Sequence, residues 1–172
     1  MKLVEGVVDV DDVDAFVTTL DGVASETGTT IQAFDARYVV SRRHLERAAE
    51  LADRAIERGD AIARDRAVEI LLYAAGRRQI TDALELGVSE GTNRVVVLVD
   101  AGPDAAGSED VEADAAAAVR SQVLDAVEPT LGDYDPERVR EYFDVGDAEL
   151  DVVDADIEAL VCERVALLVV ER

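Results

Sequence analysis

The sequence predicts a mixed α/β (α+β) fold: one domain over residues 1–172, with a central, mostly antiparallel sheet of about four strands surrounded by helices. Three observations predict it. "KLVEGVVDV" alternates with a period of two, placing Val4, Gly6, Val8 and Val10 on one face and Glu5 and Asp9 on the other. "RVVVLVD" is apolar from Val95 to Val99, the pattern of a strand buried throughout. Between and after these lie stretches with apolar residues at helical spacing, several opened by a capping Asp or Ser. The order reads β-α-β, three helices, β, helices, and a last β.

The elements follow in turn. "DDVDAFVTTLDGVASETG" carries Val13, Phe16, Val17 and Leu20 at helical spacing behind an Asp cap. "TTIQAFDARYVV" reads as a second strand and its exit. Ser41 caps "RRHLERAAELADRAIERG", whose Leu45, Ala48, Ala49, Ala52 and Ile56 form a stripe ending at Gly59. "RAVEILLYAAG" and "QITDALELG" are two further helical pieces. After the Val95–Val99 strand, the Gly/Pro/Ser loop at Ala101 turns into an alanine-rich helix with acids in its first turn. "DPERVREYF" has Asp135 as cap and Pro136 at the first helical position. "ADIEALVCERVALLVVER" is expected to give a short helix and a closing strand, Val165 to Val170.

Charge dominates the composition. The chain of 172 residues has 39 acidic side chains against 17 basic ones, a formal net charge of -22. Sixteen of the bases are arginine and one is Lys2. An acidic, lysine-poor surface keeps a protein hydrated in near-saturated salt, so a halophilic source is expected and most carboxylates are read as solvated surface. Hydrophobic residues still make up 49% of the chain, which excludes a disordered acidic tail. "ILLYAA" and "VALLVV" are too short to span a bilayer, and Met1–Val10 reads as a strand, not a signal peptide. A cytoplasmic protein without membrane contact is expected.

The charge is uneven. Residues 1–30 sum to -6 and residues 95–172 to -16, whereas residues 31–94 balance eleven arginines against eleven acids. Against that background the middle third is the least repulsive surface for a polyanion. Greater burial there would also thin out surface acids, and the two readings are compatible.

Enzymatic motifs are missing. No phosphate loop, dinucleotide fingerprint or nucleophile elbow occurs. One histidine, His44, and one thiol, Cys162, lie far apart in sequence; neither a disulfide nor a zinc site is expected. His44 reads as structural or ligand-orienting, and Cys162, beside Leu160 and Val161, as a small buried hydrophobe. The residues point to a binding or scaffold protein with no catalytic residue, no cofactor, no metal and no small-molecule substrate.

"LLYAAGRRQITDALELG" localises the binding. At about 100° per residue, Ala67, Ile70, Leu71 and Ala74 share one face, and Ile80, Ala83, Leu84 and Gly87 fall nearly opposite. One straight helix cannot send both stripes to one core, so "GRRQ" is a junction with Gly76 as the break and a new helix near Gln79. Free N–H groups at that helix start, with Arg77 and Arg78 beside them, suit a phosphate. The competing reading is internal: Glu69 sits on an almost wholly apolar helix, and a structural ion pair with Arg77 or Arg78 would satisfy it. Arg64 and Arg66, and the cluster of Arg42, Arg43 and Arg47 at another helix start, are further basic candidates.

Over residues 30–100 the chain resembles the small tRNA-binding, kinase-associated subunit of the KEOPS complex, the TPRKB-like family. The shared features are "HL..A" in the first long helix, then "EILLYAAG" followed by "RQI..A...G"; the acidic, alanine-rich stretch near Asp104–Ala118 departs from the pattern. The resemblance implies a non-catalytic protein, here from a halophilic archaeon. It would bind the atypical kinase/ATPase subunit and the single-stranded 3′ CCA end of tRNA. The complex installs threonylcarbamoyladenosine next to the anticodon. RNA contacts are expected from Arg77, Arg78, Gln79 and Ile80, with Arg64, Arg66, Arg42 and Arg43. The alternative is a protein-interaction module that regulates the kinase subunit without touching RNA.

Overall fold

In the computed structural model, residues 1–104, 107–152 and 156–169 are described. The fold class is as expected: helices combined with one four-stranded sheet, antiparallel throughout. The chain forms two compact units, one from Met1–Asp35 with Gly87–Thr130, the other from Ala36–Leu86 with Leu131–Arg172. Among the described residues no helix is long and apolar enough to cross a membrane.

The first unit holds the sheet. Its strands are β1 (Lys2–Val10), β2 (Thr30–Asp35), β3 (Gly91–Asp100) and β4 (Ala126–Val127), in the order β2-β3-β1-β4. Val4 pairs with Val97 across β1 and β3, and Ala33 with Val97 across β2 and β3. The period-two face of β1 is buried at Val4, Gly6, Val8 and Val10. Helices α1 (Val13–Thr27) and α5 (Ser108–Gln122) pack together in this unit. They contribute Phe16, Leu20, Val23, Ala115, Ala116 and Val119 to the same core. Val17, expected in the stripe of α1, is instead 45% exposed. Gly6 is required by β4: a Cβ there would lie 2.3 Å from the Ala126 carbonyl oxygen. Thr130 closes the segment by donating its hydroxyl to the Val95 carbonyl at 2.7 Å.

The second unit is helical. It comprises α2 (Arg42–Glu57), α3 (Arg66–Ala75), α4 (Ile80–Ala83), α6 (Pro136–Tyr142), α7 (Asp147–Val152) and α8 (Ile157–Leu167). Ser41 and Asp135 cap α2 and α6 as expected, and Pro136 opens α6. In α2 the stripe from Leu45 to Ala52 is buried, but Ile56 at its end is 42% exposed. Helix α3 is buried continuously from Glu69 to Ala75. Both α3 and α8 pack on α2.

The expected closing strand at Val165–Val170 is a correction: Val165–Leu167 belong to α8, while Val170 lies outside the described residues. Asp156 caps the helix by accepting from the Ala159 N–H at 2.9 Å. Leu160, Val161, Val165 and Leu168 are the residues it buries, at helical spacing. Tertiary burial overrides the β preference of the valines here. The fourth strand is Ala126–Val127 instead, a two-residue segment held by pairing with Gly6 and Val7.

Candidate nucleic-acid interface

The junction forms at the expected place, although of the expected second stripe only Ala83 is buried, while Ile80 and Leu84 face solvent. Gly76 terminates α3 at φ 63°, and its N–H and that of Arg77 bond back to the last turn. The positive φ favours glycine, and a Cβ on Gly76 would sit tightly against the Arg164 carbonyl oxygen at 3.2 Å, so that the neighbouring backbone would have to give by a few tenths of an ångström. Gln79 is the N-cap of α4 in extended conformation, but its side chain makes no capping bond. Helix α4 is only four residues long. Its macrodipole is correspondingly small, so the expected anion site at a helix start gives way to side chains as the source of any binding.

The two adjacent arginines part company. Arg77 turns inward: its guanidinium donates to the Tyr142 carbonyl and lies 4.5 Å from the centroid of the Tyr142 ring. The Tyr142 hydroxyl donates to the Asp82 carbonyl at 2.7 Å, and Tyr38 meets the Tyr142 ring edge-on at 5.6 Å. Tyr38 in turn donates to Glu85 at 3.1 Å. Burial pushes the Tyr142 phenol well above its usual range, against the opposing pull of Arg77, and raises that of Tyr38 as well. A polar cleft of about 480 Å³ results, lined by Tyr38, Arg77, Asp82, Glu85, Arg138 and Tyr142 among others.

Arg78, Gln79 and Ile80 are exposed together. Arg78 has no hydrogen bond or ion pair with any described residue. Ile80 and Leu84, one turn apart, are 47% and 55% exposed and present an apolar strip beside it.

The remaining basic candidates divide the same way. Arg66 forms a bidentate pair with Asp53 at 2.7 and 2.9 Å, bracing α3 against α2. Arg42 pairs with Glu46 one turn on at 2.7 Å. Arg43 is exposed and hydrogen-bonds the Cys162 thiol, whose pKa burial nevertheless raises. Arg64 is exposed and, like Arg78, has no partner among the described residues.

Glu69 corrects an expectation. It is fully buried, yet its carboxylate is met by main-chain donors, the N–H groups of Ile62 and Ala63 at 2.9–3.0 Å, and not by an arginine. Two consecutive amides reach both oxygens with no side chain to order, which removes the need for a buried ion pair.

His44 is structural. Its ring is fully buried, with Nδ1 accepting from the Val40 N–H and Nε2 therefore donating to the Ala74 carbonyl at 2.8 Å. Burial lowers its pKa to about 4, so it is neutral in the folded protein. It ties the first turn of α2 to the last turn of α3, just before the junction. Among the described residues no cluster of His, Cys, Asp or Glu could hold a metal ion.

Sequence reasoning missed Tyr142 and Tyr38. The signal available was scarcity: the chain has four tyrosines and three phenylalanines, and "EYF" places two of these seven side by side.

A family model described as "Kinase binding protein CGI-121" matches residues 8–168. Comparison with curated proteins gives no match.

Proposed function

Because the chain belongs to the kinase binding protein CGI-121 family, we propose that it is a non-catalytic, kinase-binding subunit of the KEOPS complex that also captures tRNA by its 3′ CCA end. In that role it supports threonylcarbamoyladenosine formation beside the anticodon, in the cytoplasm of a halophilic archaeon. The kinase partner follows from the family; the RNA role rests on the site.

One observation carries the RNA reading: Arg78 is exposed and unpaired at a helix junction, beside the exposed Gln79 and Ile80. A single-stranded end is held by phosphate contacts, stacking and base-edge hydrogen bonds. Arg78 supplies a cation and a planar stacking face, Gln79 a donor and an acceptor, and Ile80 an apolar platform. Arg64 leaves from the opposite end of α3. The ten-residue helix between them is about 15 Å long, the rise of roughly four stacked nucleotides. Residues 36–86, which carry this site, hold ten arginines against nine acids.

In molar salt the screening length falls to about 3 Å, so diffuse attraction is lost and short-range contacts dominate. An acidic protein binding tRNA is consistent with that regime. The test is a native gel in high potassium chloride with intact tRNA and tRNA trimmed of its CCA end. Intact tRNA is expected to bind and trimmed tRNA to fail, with Arg78→Glu weakening binding at least tenfold. Equal binding of both RNAs overturns the CCA-end assignment, and no binding of either favours a module that regulates the kinase without RNA contact.

A further inference from the structure

The loop between α2 and α3 is built on a buried acid. Residues 59–65 form neither helix nor strand, yet nearly every part of the loop is fixed. Gly59 turns the chain at φ 74°, and the Asp60 N–H returns to the Ala55 carbonyl at 2.8 Å. At the far end Asp65 caps α3 through the Val68 N–H, and Arg66 is locked to Asp53. In the middle, Ile62 and Ala63 donate their N–H groups to the fully buried Glu69. The next residue, Arg64, is the loop's only basic side chain, exposed and without a partner.

We infer that Glu69 is a positioning residue: its carboxylate folds the loop from within so that Arg64 is presented outward, preset to meet an RNA phosphate. The inference rests on the tRNA-binding reading above and adds to it the device that orients one contact. A buried carboxylate costs several kcal/mol in desolvation unless fully satisfied, so the loop and the acid hold each other in place. Preorganisation of this kind reduces the ordering entropy charged against binding. Glu69 itself never touches the ligand.

The experiment combines amide exchange and a double-mutant cycle, with the full chain in high potassium chloride. In the native protein the amides of Ile62 and Ala63 are expected to exchange slowly although they lie outside any helix or strand. Exchange at unprotected rates would overturn the inference without any variant having to fold. Glu69→Gln, checked for retained helicity, keeps one acceptor oxygen but loses the charge and turns an NH2 group towards the Ile62 N–H. It is expected to speed exchange of both amides and weaken binding of CCA-ended tRNA about fivefold, or ~1 kcal/mol. Arg64→Ala should cost the same, and the double variant no more than either. A Glu69→Gln loss that persists in full on the Arg64→Ala background marks a merely structural acid and overturns the inference. So does a silent Arg64→Ala while intact and trimmed tRNA are still discriminated by the native protein. If the native protein makes no such discrimination, the tRNA reading itself has failed, and this inference with it.

Discussion

The guanidinium of Arg77 lies 4.5 Å from the centroid of the Tyr142 ring and donates to the carbonyl of the same residue. One tyrosine thus holds one arginine twice, through its ring and through its backbone. The neighbouring Arg78 is left with solvent, and the separation of duties predicts separable phenotypes. Arg77→Ala should lower unfolding free energy by about 1–2 kcal/mol, from the lost ring contact and hydrogen bond. Arg78→Ala should change it by less than about 0.5 kcal/mol. Urea denaturation at constant high salt measures both, and equal losses would contradict the division.

Tyr142 carries a second prediction. Its hydroxyl is the donor to the Asp82 carbonyl in the turn of α4. Tyr142→Phe keeps the ring under Arg77 and removes only that bond, so a loss of about 1 kcal/mol is expected. Thermal melting should detect it, with amide exchange in residues 80–83 accelerating selectively.

Backbone conformation gives a pair of opposite outcomes. Gly76 and Asp144 both sit in the left-handed region, at φ 63° and 54°. Gly76→Ala meets both that strain and the Arg164 carbonyl, so a loss of more than about 1 kcal/mol is expected. Asp144→Gly relieves strain after α6 while keeping the carbonyl that accepts from Arg164, and should gain about 0.5–1 kcal/mol. Chemical denaturation of the two variants settles the signs.

The pH dependence follows from His44. Its folded pKa is lowered to about 4, against an ordinary 6.5, because burial disfavours the charged ring. The unfolded chain therefore binds the extra proton first, and the contribution of this residue is complete above pH 6.5. It is lost progressively as pH falls from 6.5 towards 4, to a total of about 3 kcal/mol. His44→Gln should flatten the stability profile across that window, relative to the native chain, in urea titrations at pH 7 and pH 5.

How much of this was legible beforehand depends on whether a cause is local. The junction was readable because the stripe of Ala67–Ala74 does not continue in phase past Gly76, a property of the sequence alone, although Ile80 and Leu84 beyond it face solvent and not a core. Caps at Ser41 and Asp135 were readable for the same reason. The closing segment was misread because Val165, Leu167 and Leu168 suit a strand locally; the Asp156 cap and burial in the helical unit make it α8. The partners of Arg77 and Glu69 were also beyond sequence. Tyr142 lies 65 residues from Arg77, and the donors to Glu69 are peptide groups, which every residue but one kind possesses.

That last fact bears on how the loop tolerates change. Since Glu69 binds amides and not side chains, the latch itself asks only for an N–H at positions 62 and 63, and proline is the one residue it excludes. The acid is fixed while the residues it organises drift, so the loop could diversify across lineages and still deliver a side chain at position 64 to the same place.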